Sequence, residues 1–174
     1  MIPEKITHVE NKIYKNLVLT HRMHRNQTEL YQKEIGIIKM MIILTTISVF
    51  IVLIAPLDYN ISWWVKFILA LLDLFLILYE SGFRPEEKLQ DHKAAVKMLL
   101  PIRNTFAIAM SDYILGRISE EKFLEIRDNI TEKADVIYST SPQVSRKAMV
   151  KAKIETRKYL EKNADYLIRN IPKK

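Results

Sequence analysis

Two nearly unbroken apolar runs dominate the pattern, Ile37 to Ala55, "IIKMMIILTTISVFIVLIA", and Ile61 to Tyr79, "ISWWVKFILALLDLFLILY". Each is close to the roughly 20 residues that a helix needs to cross about 30 Å of hydrocarbon. Only "PLDYNIS", Pro56 to Ser62, separates them. Two adjacent runs of this length exceed what so small a soluble core uses, so they predict a transmembrane hairpin over 35–80, with spans at 37–55 and 61–79. Before it lies an arm, 1–34, in which Pro3 suits a first helical position and Ile6, Val9, Ile13 and Leu17 share one helix face. A second helix start is expected at Asn26, where "NQTE" sets an Asn cap three residues before Glu29; from there the helix runs into the first span.

The region 81–174 also reads as helical. Gly82 and Pro85 are expected to interrupt the chain, and the helix resumes with Glu86 and Glu87 in its first turn. A heptad follows: Leu89, Val96, Arg103 and Met110 form one row, and His92, Leu99, Phe106 and Tyr113 the other, the spacing of a seam between packed helices. His92 and Arg103 are its polar exceptions and read as pairing or register devices. Pro101 should bend or divide this helix. Further on, Gly116 is a stop and Ser119 a cap, after which Phe123, Ile126, Ile130 and Ala134 lie on one face; Ser141 and Pro142 are expected to start the last helix. The predicted fold is an all-α membrane protein: a two-helix transmembrane hairpin with an amphipathic N-terminal helix and a C-terminal cytoplasmic helical bundle.

Charge then orients the hairpin. The short loop contains no Lys or Arg, whereas Arg22, Arg25 and Lys33 precede the spans and Arg84, Lys88, Lys93 and Lys97 follow them. The positive-inside bias places both termini, Met1 and Lys174, in the cytoplasm and Asp58 on the far side of the inner (plasma) membrane. Tyr59, Trp63 and Trp64 fall at the outer interface and Tyr79 at the inner one. The first 34 residues are charged throughout and do not read as a cleaved signal. From Val144 to Lys174 there are ten Lys or Arg against three acidic residues, which equals the whole chain's excess of +7. Arg146, Lys147, Lys151, Lys153, Arg157 and Lys158 are thus candidates for contact with anionic lipid or a partner, at about 1 kcal/mol per basic residue near a membrane surface. A solvated bundle helix explains the same charges equally well. Base-stacking aromatics and a reading motif are missing, so nucleic acid is not expected.

The chemistry of enzymes is poorly represented. There is no Cys, hence no disulfide, thiolate metal site or thiol catalysis. His21 and His24 have the spacing of one helix face, but no nearby third metal ligand is evident and surface or bundle positions are favoured. The three glycines form no phosphate loop, and no nucleophile elbow or paired-acid metal motif is present. Neither catalysis nor a cofactor is expected.

One residue departs from its surroundings. Asp73 stands inside "FILALLDLFLILYESGF", and a charge near the centre of a membrane helix costs about 2.5 to 3.5 kcal/mol even on lenient insertion scales. Lys66, Asp73 and Glu80, spaced by seven, form one stripe of the second span. Counting outward from the loop brings Asp73 level with Thr45 and Thr46, and Glu80 near Lys39. These groups serve either helix packing, with threonine hydroxyls meeting Asp73 and Lys39 pairing with Glu80, or the wall of an aqueous path built from several copies. Intramembrane ionisable groups are functional by default, which favours the path. Two helices cannot enclose water, so a path requires a homo-oligomer, for which the heptad seam is a plausible means of assembly.

The layout resembles the SLATT family, prokaryotic two-transmembrane effectors named for their association with SMODS and SLOG modules. The resemblance covers nearly the whole chain. It rests on the order and spacing of "HRMHRNQTELYQKEIGIIK", the close hairpin, "FRPEEKLQDHKAAVKML", and "ILGRISEEKFLEIRDNI" followed by "STSPQVS". It implies an antiphage or conflict-system effector that oligomerises in the inner membrane and breaches it when triggered. The chain differs from fused members in having no sensor or synthase domain, so the resemblance implies a separately encoded sensor or nucleotide-signalling partner. The rival expectation is a membrane-anchored helical interaction module that recruits or regulates a partner at the inner membrane surface.

Overall fold

The computed structural model describes residues 8–54 and 59–169. Expectations for Pro3, Ile6, Asp58, the Tyr59 side chain and the chain ends lie outside the residues so described. Among the described residues the chain is all-helical, in the order α1 (His8–Ile54), α2 (Tyr59–Phe83), α3 (Pro85–Ile114), α4 (Glu120–Thr140) and α5 (Arg146–Arg169). It divides into two compact units, one of Met1–Thr28 with Gln90–Lys174 and the other of Glu29–Leu89.

Helix boundaries follow local chemistry, with three corrections to the sequence reading. Asn26 starts no helix: α1 runs through it, and its amide Nδ2 donates instead to Glu155 Oε2 at 3.1 Å. Asn26 itself is buried with its neighbours His24 and Gln27, so packing holds that turn helical and outweighs the local capping signal. The break between α2 and α3 falls on Arg84, while Gly82 stays in α2. Pro85 excludes the residue before it from the right-handed helical region, and Arg84 takes a left-handed φ of 43°, a conformation that costs a non-glycine residue about 1 to 2 kcal/mol. Its N–H still donates to Glu80 O at 3.1 Å.

The third correction concerns α5. Ser141 closes α4, its N–H donating to Ile137 O at 2.9 Å, and Ser145 takes the capping role, its Oγ accepting from Ala148 N at 3.3 Å. Pro142 keeps Ser141 extended, at φ −76° and ψ 144°, so the helix can begin only after the short extended segment. Pro101 does not divide α3. It is exposed, where water can meet the carbonyl that its missing N–H leaves unpaired. As expected, Gly116, at φ 68°, ends α3 and Ser119 caps α4 by accepting from Lys122 N at 3.2 Å.

In the first unit the core is Leu17, Phe106, Ala109, Phe123, Ile130 and Ala134, with Ile13, Met110, Tyr113 and Ile126 packed against it. Phe123 stacks on Tyr113 at 4.7 Å and on Phe106 at 6.2 Å between ring centroids. The heptad seam of α3 is therefore filled by the chain's own α1 and α4. His92, Leu99 and Phe106 are fully buried within one copy, so this seam is not free to receive a second.

In the second unit the balance is reversed. Ile38 and Leu76 are buried, yet Ile43, Leu44, Ile47, Phe50, Ile51, Leu71, Leu74, Phe75 and Leu78 are all exposed. A contiguous apolar surface of this kind exceeds what water tolerates and calls for lipid or protein around it. The most apolar stretch of α1 is long enough to cross a membrane, with mean hydropathy 2.4. The corresponding stretch of α2 is interrupted by Lys66, Asp73 and Glu80.

Phe106→Ala should cost the first unit about 3 to 5 kcal/mol, the range for emptying a fully buried aromatic site. Hydrogen exchange should show α3 and α4 amides deprotected together, with those of 40–50 unchanged.

Candidate functional site

Within the second unit Asp73 finds the partner its apolar surroundings demand. Thr45 Oγ1 is hydrogen-bonded to Asp73 Oδ1. Thr45 is buried and Asp73 half-buried. The same hydroxyl lies 3.0 Å from the carbonyl oxygens of both Met41 and Ile42, so its single proton is shared between the main chain and the carboxyl group. Thr46, the other candidate, is exposed and donates to Ile42 O at 2.8 Å. A second cross-contact joins the helices, Tyr79 Oη donating to Glu34 Oε1 at 2.5 Å. From Glu34 to Thr45 along α1 the partners retreat from Tyr79 to Asp73 along α2, so the two helices run antiparallel.

The expected pairing of Lys39 with Glu80 is not formed. Lys39 Nζ bonds Glu86 Oε1 at 2.6 Å, and this contact holds the Glu86 carboxyl below its ordinary range. The long lysine side chain reaches past the end of α2 to the first turn of α3. Lys66 and Glu80, seven residues to either side of Asp73, are half-buried and make no side-chain hydrogen bond or ion pair among the described residues.

The first unit contains a second polar cluster. His24 and His92 are buried, and their Nδ1 atoms lie 2.8 Å apart with ring centroids separated by 5.1 Å. One ring must donate and the other accept, so the contact requires neutral imidazoles of opposite tautomer. Burial, then the neighbouring His92 and His21, lower His24 to about 4. His21 is likewise brought to about 4, by burial and by Arg103, Arg25 and Arg22. His92 is lowered by burial, against the opposing influence of Asp91. His21 and His24 do not share a metal-ligand arrangement; among the described residues no group of three His, Asp or Glu is placed to hold an ion. Arg103 is half-buried and bonds Asn104 Oδ1 at 2.9 Å through Nη2.

Beside the histidines, α1 meets α5 through polar groups that the sequence reading missed. Glu155 receives Asn26 at 3.1 Å and Arg22 at 3.7 Å; Arg22 also lies 4.8 Å from the centre of the Tyr159 ring, and Tyr14 and Tyr159 hydroxyls are 3.3 Å apart. Burial pushes the Tyr14 hydroxyl well above its ordinary range. Gln27 Oε1 accepts the N–H of Ser145 at 3.0 Å. The available signal was the four-residue spacing of Arg22 and Asn26, and of Glu155 and Tyr159, each pair on one helix face. The basic candidates Arg146, Lys147, Lys151, Lys153, Arg157 and Lys158 are all exposed on α5, Lys151 lying 3.8 Å from Glu155 and Arg157 3.4 Å from Glu161.

The family model of the SMODS and SLOG-associating 2TM effector domain, family 4, matches residues 7–166. The chain belongs to this family. No curated protein and no solved structure matches it. The match spans both units, so the Asp73–Thr45 contact and the histidine cluster both lie inside the SLATT domain, which the family description names a two-transmembrane effector domain.

The histidine cluster gives this SLATT domain a pH dependence of definite sign. A histidine at about 4 when folded and 6.5 when unfolded binds more protons unfolded, so stability is lost as pH falls from about 6.5 towards 4. For His24 the loss is about 3 kcal/mol at about 1.4 kcal/mol per pKa unit. Thermal melts of the helical signal in detergent at pH 7, 5.5 and 4.5 should descend accordingly, and the slope should flatten in His24→Gln, which keeps a hydrogen-bonding group but cannot titrate.

Proposed function

We propose that the chain is an oligomeric inner-membrane effector of a prokaryotic antiphage or conflict system, which opens a path through the membrane when a separately encoded sensor or nucleotide-signalling partner triggers it. In this reading α1 and α2 cross the bilayer as a hairpin with both chain ends in the cytoplasm. Family membership supports the effector role. The observation that carries the path is the half-buried Asp73, which has Thr45 on one carboxyl oxygen. A carboxylate in hydrocarbon must be met by protein or water, and one shared hydroxyl satisfies only part of its accepting capacity. Neighbouring hairpins supply the remainder, and a ring of such carboxylates sets the potential along the path.

A second reading is favoured by the same contact. If Thr45 alone suffices for Asp73, the polar pair fixes the hairpin and the protein is a membrane-anchored helical module that recruits or regulates a partner. Here the interhelical bond contributes about 0.6 kcal/mol, the average for such bonds in a membrane.

Asp73→Asn separates the two. It is nearly isosteric and keeps a partner for Thr45, so under the path reading assembly persists while conductance, ion selectivity or toxicity to the host cell changes. Unchanged currents and unchanged cell killing at equal membrane abundance would remove Asp73 from the path and leave the anchored module.

A further inference from the structure

The outer surface of α5 is neither core nor simple solvated face. Lys147, Val150, Lys151, Ile154 and Lys158 recur at the spacing of one helix side, opposite the buried Ala148, Ala152 and Thr156. Val150 is 50% and Ile154 53% exposed, two branched apolar side chains framed by cations on a helix whose other side is already packed.

The complement lies on the same unit. Glu121, Glu125, Asp128, Glu132 and Asp135 line the outer side of α4, opposite its buried Phe123, Ile130, Ala134 and Ile137. Lys122 pairs with Glu125 at 2.7 Å and Arg127 with Asp128 at 2.7 Å. Glu121, Glu132 and Asp135 hold no ion pair among the described residues, and Val136 beside them is 59% exposed. One unit thus presents a basic face with an apolar centre and an acidic face with Val136 at its edge.

We infer that the α5 face of one copy docks on the α4 face of the next. The occupant is a second copy of this chain because the two faces carry opposite charge and each adds an exposed apolar anchor to the contact. The two surfaces differ, so the contact is head-to-tail, the kind that closes into a ring when the rotation between copies permits. It gives the cytoplasmic helices a means of assembly in place of the internal heptad seam. The inference rests on the oligomer of the proposed function and names its interface.

The natural absence of Cys allows a clean test on the full chain in nanodiscs. Val136→Cys and Ile154→Cys chains are prepared separately and together under mild oxidation. A disulfide-linked dimer should form in the mixture and in neither variant alone. Yield should fall about tenfold when Lys147, Lys151 and Lys158 are changed to Glu on the Ile154→Cys chain, since like charges then face each other. Changing Glu121, Glu132 and Asp135 to Lys on the Val136→Cys partner should restore it. Raising salt from about 0.1 M to about 1 M, where the Debye length shrinks from about 10 Å to about 3 Å, should weaken the contact. No mixed dimer from a parent that mass measurement shows to be oligomeric would overturn this interface and leave the oligomer standing, whereas a monomeric parent would overturn both. Cross-linking absent in the mixture, with α5 protected from exchange only in anionic nanodiscs, would assign the face to lipid and overturn the inference.

Discussion

A carboxyl group set among leucines and phenylalanines must be met by another polar group, and in this chain Asp73 is met by Thr45. The second unit is organised around that requirement. Thr45 is buried while its neighbours Leu44, Thr46 and Ile47 are exposed, so one small hydroxyl residue marks the line along which α2 lies on α1. In the proposed transmembrane hairpin, an alternative rotation of either helix would leave Asp73 facing hydrocarbon, at about 2.5 to 3.5 kcal/mol. The apolar side chains contribute little to that choice, because lipid tails are as apolar as leucine and do not distinguish one rotation from another. Polar groups therefore specify the pairing, and Tyr79 on Glu34 repeats the principle.

The first unit uses polar specificity differently. Its apolar core joins α1, α3 and α4, whereas among the residues of α5 whose burial is described only Ala148, Ala152 and Thr156 reach full burial. Small side chains bury little area, at roughly 25 cal/mol per Å², so the position of α5 depends on the contacts of Glu155 with Asn26 and Arg22 and of Gln27 with the cap of α5. Such bonds contribute about 0.5 to 1.5 kcal/mol each, more where a charge takes part. A helix held chiefly in this way opens at lower cost than one held by aromatic packing. The unpartnered Nδ1 of His21 and Oγ1 of Thr156 lie in the same region and lower that cost further.

Much of this was legible in the sequence, and the failures share a cause. The apolar runs, the stop at Gly116, the cap at Ser119 and the level of Asp73 with Thr45 follow from period, turn chemistry and counting along two antiparallel helices. Asn26 and Ser141 were misread because capping signals are local, and a buried face or a following proline outweighs them. Lys39 was assigned to Glu80 and found Glu86, since a four-carbon side chain reaches partners that a helical count does not. The His24–His92 contact joins residues 68 apart in the chain. His92 was visible as a polar exception in its heptad and His24 only by its spacing from His21, and neither spacing could show that the two faces meet.

The heptad of α3 shows most clearly what a periodic pattern does and does not establish. The period states that one side of the helix is buried against other helices, and Leu99 and Phe106 are buried accordingly. It does not state whose helices these are. With α1 and α4 of the same chain filling the seam, the proposed oligomer would have to draw on other surfaces, those that helical periodicity leaves polar or apolar and exposed. On those surfaces the distribution of charge is the informative quantity. A chain that is balanced upstream and carries its whole excess from Val144 onward has concentrated positive charge near one end, and faces of opposite sign on one unit favour the contact between copies proposed above over repulsion.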